Sequence, residues 1–253
     1  MSLIENNLFE YDELKMYFGE DYIVTDKIAI RQPTIGEIIE FGEKKYFSII
    51  RTLTCIPSDM KSQLFDNGVD YMEISDFELF MIISRGLTYK DTCLILKDID
   101  LSKFIITVDP DNDENILYDP INDIEIDQLI YLKIVKYLRK LHNIKPKIEH
   151  AANKTTKRIL IQLERDEIEK NKNESYKSQF FELISGIRRF PGFQFTKEEI
   201  KKMNLYEFMD FVRGAQIYVS STALLKGMYS GMMDTSKIDK KELNWMRTMD
   251  EEL

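Results

Sequence analysis

The sequence predicts a mainly α-helical protein with a small β-hairpin insertion and a helical C-terminal domain. Three observations carry that expectation. Glycine and proline are scarce, ten and six in 253 residues, which leaves little room for the tight turns of an all-β fold. Thr34, Ser75 and Thr196 each stand three residues before a glutamate, the reciprocal pattern that closes a helix N-terminus. Apolar residues recur at three- and four-residue spacing, most regularly from Leu205 onward, as a buried helix face requires.

Taken in order, Tyr22–Thr25 and Ile28–Arg31 read as two short strands around Asp26 and Lys27. Thr34 and Glu37 open a helix toward Leu53, with Ile35, Ile38, Ile39, Phe41, Tyr46 and Ile49 as its apolar stripe. Pro57 and Ser58 start a short helix that Asn67-Gly68 ends in a left-handed stop. The Ser75/Glu78 pair opens another, whose buried face is Phe77, Leu79, Phe80, Ile82 and Ile83 before Arg85-Gly86. Phe104–Val108 and Ile116–Tyr118 flank a turn-rich loop and read as a hairpin, with Ile124–Ile126 as a third strand. Asp127 caps an amphipathic helix to about His142. The best linker is 145–150, with Pro146, so the chain divides into 1–147, an N-terminal α domain with strands near 22–31 and a β insertion near 104–126, and 148–253, a helical domain. The second part holds helices at 153–171, 178–189 and 196 onward, then one long helix from Leu205 to about Tyr229.

Composition narrows the class. At 43% hydrophobic and 31% charged residues the chain is globular. Cys55 and Cys93 stand apart with no metal-ligand spacing, as reduced thiols of a cytosolic protein would. The N-terminus lacks a basic start and apolar core, and no apolar run approaches the ~20 residues of a membrane span. Asp109, Asp111 and Asp113 begin like a calcium loop, but Glu114 and Pro120 occupy the positions that need glycine and a bidentate glutamate. His142 and His150 form no ligand pair, and no phosphate-binding glycine loop or nucleophile elbow occurs. No catalysis, metal or cofactor is expected.

The charge is strongly patterned. Residues 98–127 carry ten acids against Lys103 alone, whereas 133–158 carry nine bases against Glu149 alone. An acidic block beside a basic block suggests complementary surfaces, paired within one molecule or between copies, with Lys133, Lys136, Arg139 and Lys140 as the pairing bases. The basic segment could instead neutralise nucleic-acid phosphates. Acidic neighbours within a Debye length would repel a polyanion, and the overall charge of −9 weighs against that reading too.

Tyr206–Arg213, Ser221–Gly231, Ile238–Trp245 and the opening Gln32–Ile39, with Glu43 and Tyr46, resemble tail-morphogenesis proteins of tailed phages and prophages of Gram-positive bacteria. The resemblance covers the two ends of the chain. It implies a tail assembly chaperone, which binds tape-measure and tail-tube proteins before the tube polymerises, in the bacterial host cytoplasm. A permanent virion component of the tail or neck is the alternative, with the virion as its location. The implied partners are phage tail proteins or copies of the chain itself; membrane, nucleic acid and small-molecule ligands are not expected. Phe208 to Trp245 holds more aromatic and methionine side chains than one helix stripe easily buries. Tyr229, Met232, Met233 and Trp245 are therefore expected at a partly exposed apolar patch that a partner covers. The alternative, that they form the domain's own core, stays open at this point.

Overall fold

Short polar side chains open most of the helices. Asp12, Ser75, Asp127, Asn153, Ser178, Thr196 and Asn204 each accept a backbone N–H from the first turn that follows, satisfying donors that have no partner inside the helix. A computed structural model describes residues 12–110, 112–231 and 238–247. It is 57% helical, with eleven α-helices among the described residues and two small sheets. The chain divides into two compact units, one of Met1–Pro33 and Glu37–Lys177, the other of Thr34–Gly36 and Ser178–Leu253.

Among the described residues, the first unit begins with α1 (Glu13–Tyr17) and a two-stranded hairpin, β1 (Tyr22–Ile23) and β2 (Ala29–Ile30), in antiparallel register. The single helix expected from Thr34 to Leu53 is two: α2 (Ile35–Phe41) and α3 (Glu43–Thr54). Gly42 breaks them with φ +100, a backbone state open to a residue without Cβ. The turn Pro57–Asp59 leads into α4 (Lys61–Asp66), and α5 (Asp76–Ile83) and α6 (Tyr89–Leu96) follow. The Ser75/Glu78 box forms as expected, with Glu78 N–H donating to Ser75 Oγ at 3.1 Å and Ser75 N–H to the Glu78 carboxylate at 2.8 Å.

The insertion is an antiparallel sheet of β3 (Ile105–Val108), β4 (Asn115–Asp119) and β5 (Ile124–Ile126), with β4 in the middle. Helix α7 (Gln128–Leu141) leaves β5 directly and packs on α3. Its inward face, Tyr131, Ile134, Val135, Leu138 and Leu141, meets Tyr46, Ile49, Ile50 and Leu53, all buried. Tyr131 lies 5.2 and 4.9 Å from the rings of Phe77 and Phe80. Tyr137 stacks on Tyr22 at 4.5 Å, and its hydroxyl accepts from Gln32 Nε2 at 2.9 Å. These contacts tie α7 to the N-terminal hairpin as well.

The boundary expected at 147/148 lies later. Helix α8 (Lys154–Asn171) belongs to the first unit because it packs on α4. Ile161 enters a core of Cys55, Leu64, Tyr71 and Leu79. Around that apolar contact Lys157 pairs with Asp70, Arg165 with Asp66, and Glu164 accepts from Ser62 N–H. Burial of a side chain supplied from far along the chain outweighs the local break at Pro146.

The second unit holds α9 (Gln179–Ile187), α10 (Lys197–Lys202), the long α11 (Leu205–Tyr229) and a turn at Lys240–Leu243. Its core is Phe180, Ile187, Ile200, Met203, Leu205, Phe208, Val212 and Ile217. Thr34–Gly36 completes it: Ile35, fully buried, donates its N–H to Met203 O at 2.9 Å, and Thr34 bridges Asn204. A Cβ on Gly36 would meet Lys201 O at 3.0 Å, so this approach depends on glycine.

Candidate protein-binding face of the second unit

The long helix is buried along only part of its length. Leu205, Phe208, Val212, Ile217 and Ser221 face the core, the last with its hydroxyl donating to Glu242 O at 2.7 Å. That bond holds the Lys240–Leu243 turn against the helix. From Thr222 to Tyr229 no side chain is buried, although Leu224, Leu225, Met228 and Tyr229 are apolar. Around an ideal helix Leu225 and Tyr229 each fall within about 20° of Tyr218, which makes a single stripe ~16 Å long.

Tyr229, 82% exposed, ends that stripe, and Trp245, 52% exposed, stands at its start with its ring edge-on to Tyr218 at 6.1 Å. Tyr218 in turn meets Phe190 edge-on at 5.8 Å. Val219 and Met246 add further exposed apolar surface. The structure thus joins Trp245 to the helix through Tyr218, a residue that the sequence alone does not single out. Met232 and Met233 lie outside the described residues. The expectation that this whole series forms core does not hold for Tyr229 and Trp245. Near the buried end, desolvation raises the carboxyls of Glu207 and Asp210 above the usual carboxylate range.

Of the four bases expected to pair with the acidic block, Arg139 and Lys140 have partners outside it. Arg139 donates through Nε and Nη2 to Thr54 O, at 3.2 and 2.9 Å, and faces Asp76 at 3.7 Å. It holds the end of α3, a structural role. Lys140 pairs with Glu13 at 2.7 Å, Lys147 with Glu149 at 2.9 Å, and Lys157 with Asp70. Lys133 and Lys136 sit half-buried on α7. On the acidic side, Asp123 pairs with Lys27 at 2.8 Å and Asp100 with Lys103 at 4.0 Å. None of these pairs joins the two blocks.

A second feature is a cavity of about 690 Å³ in the first unit, walled by α3, α4 and α8. At its floor Lys61 is buried, with Nζ donating to Ser58 O at 2.6 Å and to Glu149 at 2.9 Å, and lying 3.9 Å from Glu164. Nζ thus has two acceptors at hydrogen-bond distance and a further carboxylate at ion-pair distance, and the Glu164 contact ties α8 to α4. Burial pushes the Cys55 thiol beside it up to about 11, with Asp59 adding to the rise, so it stays protonated and unreactive at neutral pH.

Of the aborted calcium loop, Asp109 and Asp113 lie at the β3–β4 turn and Asp111 lies outside the described residues. Among the described residues no group of three or more His, Cys, Asp or Glu side chains could hold a metal ion. Nor is any helix among them long and apolar enough to cross a membrane. Comparison with protein-family models, curated proteins and solved structures finds no match for this chain.

Proposed function

We propose that this protein acts by binding other proteins, through the exposed end of α11, as a non-enzymatic tail assembly protein of the chaperone class. One observation carries the reading. The last two turns of α11 present Leu225 and Tyr229 in line with Tyr218 and Trp245, and none of the four is buried. Aromatic residues on a rigid helix give large contact area at small entropic cost, which suits an anchor for a partner helix. The choice of tail proteins as partners rests on the resemblance of the two chain ends.

The test is co-expression with the tape-measure and tail-tube proteins of the same genome. The intact protein should co-purify with one of them. Leu225→Ser with Tyr229→Ser should abolish co-purification while the circular dichroism spectrum stays unchanged. Retention of binding by that double variant would remove the face from the proposal. Mass spectrometry of purified virions then separates the two phage roles: a chaperone is absent or present in trace, and a tail or neck subunit has fixed stoichiometry.

A further inference from the structure

Strand β3 is the outer strand of its sheet, and it carries none of the features with which proteins usually protect an edge. Its sequence is Ile105-Ile-Thr-Val108. It has no charge, no proline and no bulge, and pairs with β4 in unbroken register from Ile105↔Tyr118 to Val108↔Asn115. Ile105, Ile106 and Val108 are 49, 39 and 50% exposed, so both faces of the strand meet solvent. A flat apolar edge of this kind is a template for another extended chain.

The direction of its free backbone groups follows from the ladder. Asp109 N–H donates to Glu114 O at 2.8 Å, which makes that pair hydrogen-bonded. Bonded pairs alternate along an antiparallel ladder, so Thr107 and Ile105 also bond toward β4. The N–H and C=O of Ile106 and Val108 therefore point away from the sheet. The opposite edge differs: β5 has three residues, Ile126 is buried, and Lys27 holds Asp123 at its start.

Charge selects the occupant. Asp98 and Asp100 precede β3, and Asp109, Asp113 and Glu114 follow it, with Lys103 the only base from 98 to 127. Antiparallel pairing of β3 with a second copy of itself would set Asp109, Asp113 and Glu114 of each chain against Asp98, Asp100 and the single base Lys103 of the other. Repulsion disfavours that assembly. We infer that β3 receives an extended segment of a partner protein, apolar at alternate positions and flanked by lysine or arginine, as a fourth strand beyond the sheet edge. This surface lies in the first unit and does not depend on the α11 face.

The test uses the full-length protein and a labelled peptide, KKVTVTVKK, with EEVTVTVEE as its charge control. Fluorescence anisotropy should show saturable binding of the basic peptide and at least ~10-fold weaker binding of the acidic one. Hydrogen exchange should slow at Ile106 and Val108 on binding and stay unchanged at Ile105 and Thr107. Ile106→Pro removes an outward N–H without touching the bonds to β4 and should weaken binding ~10-fold or more. Ile106→Lys, which keeps the backbone and opposes the basic flanks, decides the matter if the proline variant fails to fold. No binding at 1 mM peptide, equal binding of the two peptides, or full affinity in Ile106→Lys would each overturn the inference. So would a dimer of the wild type that Ile106→Lys dissolves, since it would make a second copy the occupant.

Discussion

His142 shows how one residue can set an acid limit on the fold. Its Nδ1 lies 2.8 Å from Leu138 O, so that nitrogen carries the proton, and Nε2 accepts from the Tyr46 hydroxyl at 2.9 Å. Burial lowers its pKa to about 4, although the Leu138 carbonyl pulls the other way. The unfolded chain takes up this proton near pH 6.5, earlier than the folded one. Its contribution to stability is therefore complete above pH 6.5 and falls by about 1.4 kcal/mol per pH unit down to pH 4. Urea unfolding of the wild type should weaken over that window, whereas His142→Gln should flatten it; parallel profiles would exclude His142 as the cause. Lys61 makes a second case. Replacing it with methionine leaves the Glu164 carboxylate without its cation, while Glu149 keeps Lys147, and should cost up to about 3 kcal/mol in urea denaturation. A loss below ~1 kcal/mol would show the pair to be no better than an exposed one. Neither role was legible in the sequence. His142 looks like a polar helix end and Lys61 like any lysine on a short helix, because the partners that define them arrive from distant segments.

At the scale of elements, chain direction changes where side-chain size and backbone bonding agree. Helix α7 ends in a left-handed Asn143, φ +52, with Ile144 N–H bonded to Arg139 O at 2.8 Å, the six-residue closure that glycine favours at the left-handed position. Asn143→Gly should keep the closure and relieve its strain, raising stability by a few tenths to ~1 kcal/mol. A lower melting temperature would mean that the Asn143 side chain contributes more than its backbone costs. The ends of α7 and of the Ser75 and Thr196 helices were readable because caps and stops are local signals. Helix α6 was not, because its box pairs Thr88 with Asp91, at 3.0 Å, where the sequence pattern looks for glutamate. The break at Gly42 has no local signal of this kind, since glycine alone does not reveal whether it sits in a helix or between two. As for the candidate face, the exposure of Tyr229 and Trp245 followed from an excess of aromatic residues, but the place of Tyr218 between helix and turn depends on the Ser221–Glu242 bond.

For the whole molecule, the charge blocks distinguish fold from association. Reversing Lys133, Lys136, Arg139 and Lys140 to glutamate should lower the melting temperature, and Arg139→Glu alone should reproduce most of the loss. Arg139 bonds Thr54 O twice and faces Asp76, and such charge-assisted bonds are each worth ~1.5–3 kcal/mol. If Lys133→Glu with Lys136→Glu destabilises as much as Arg139→Glu, the surface field of α7 matters as much as those bonds. The division into units follows similar logic. The basic linker around Pro146 marks a local turn, but the first unit extends to Lys177 because Ile161 and three acid–base contacts hold α8 on α4 and on the loop that follows it.

The place of Thr34–Gly36 in the second unit bears on how the chain is made. These residues leave the ribosome ~170 positions before Met203 and Asn204, which they bond. Until then Ile35, an apolar residue fully buried in the finished protein, has no site to enter. The second unit is therefore the last to close during synthesis, and closing it requires a contact between distant parts of the chain, a slow class of folding event. A fragment of 178–253 produced alone should be less stable than the same residues in the intact chain. A ribosome stalled before Met203 would hold a nascent chain whose early segment is still waiting for its partner.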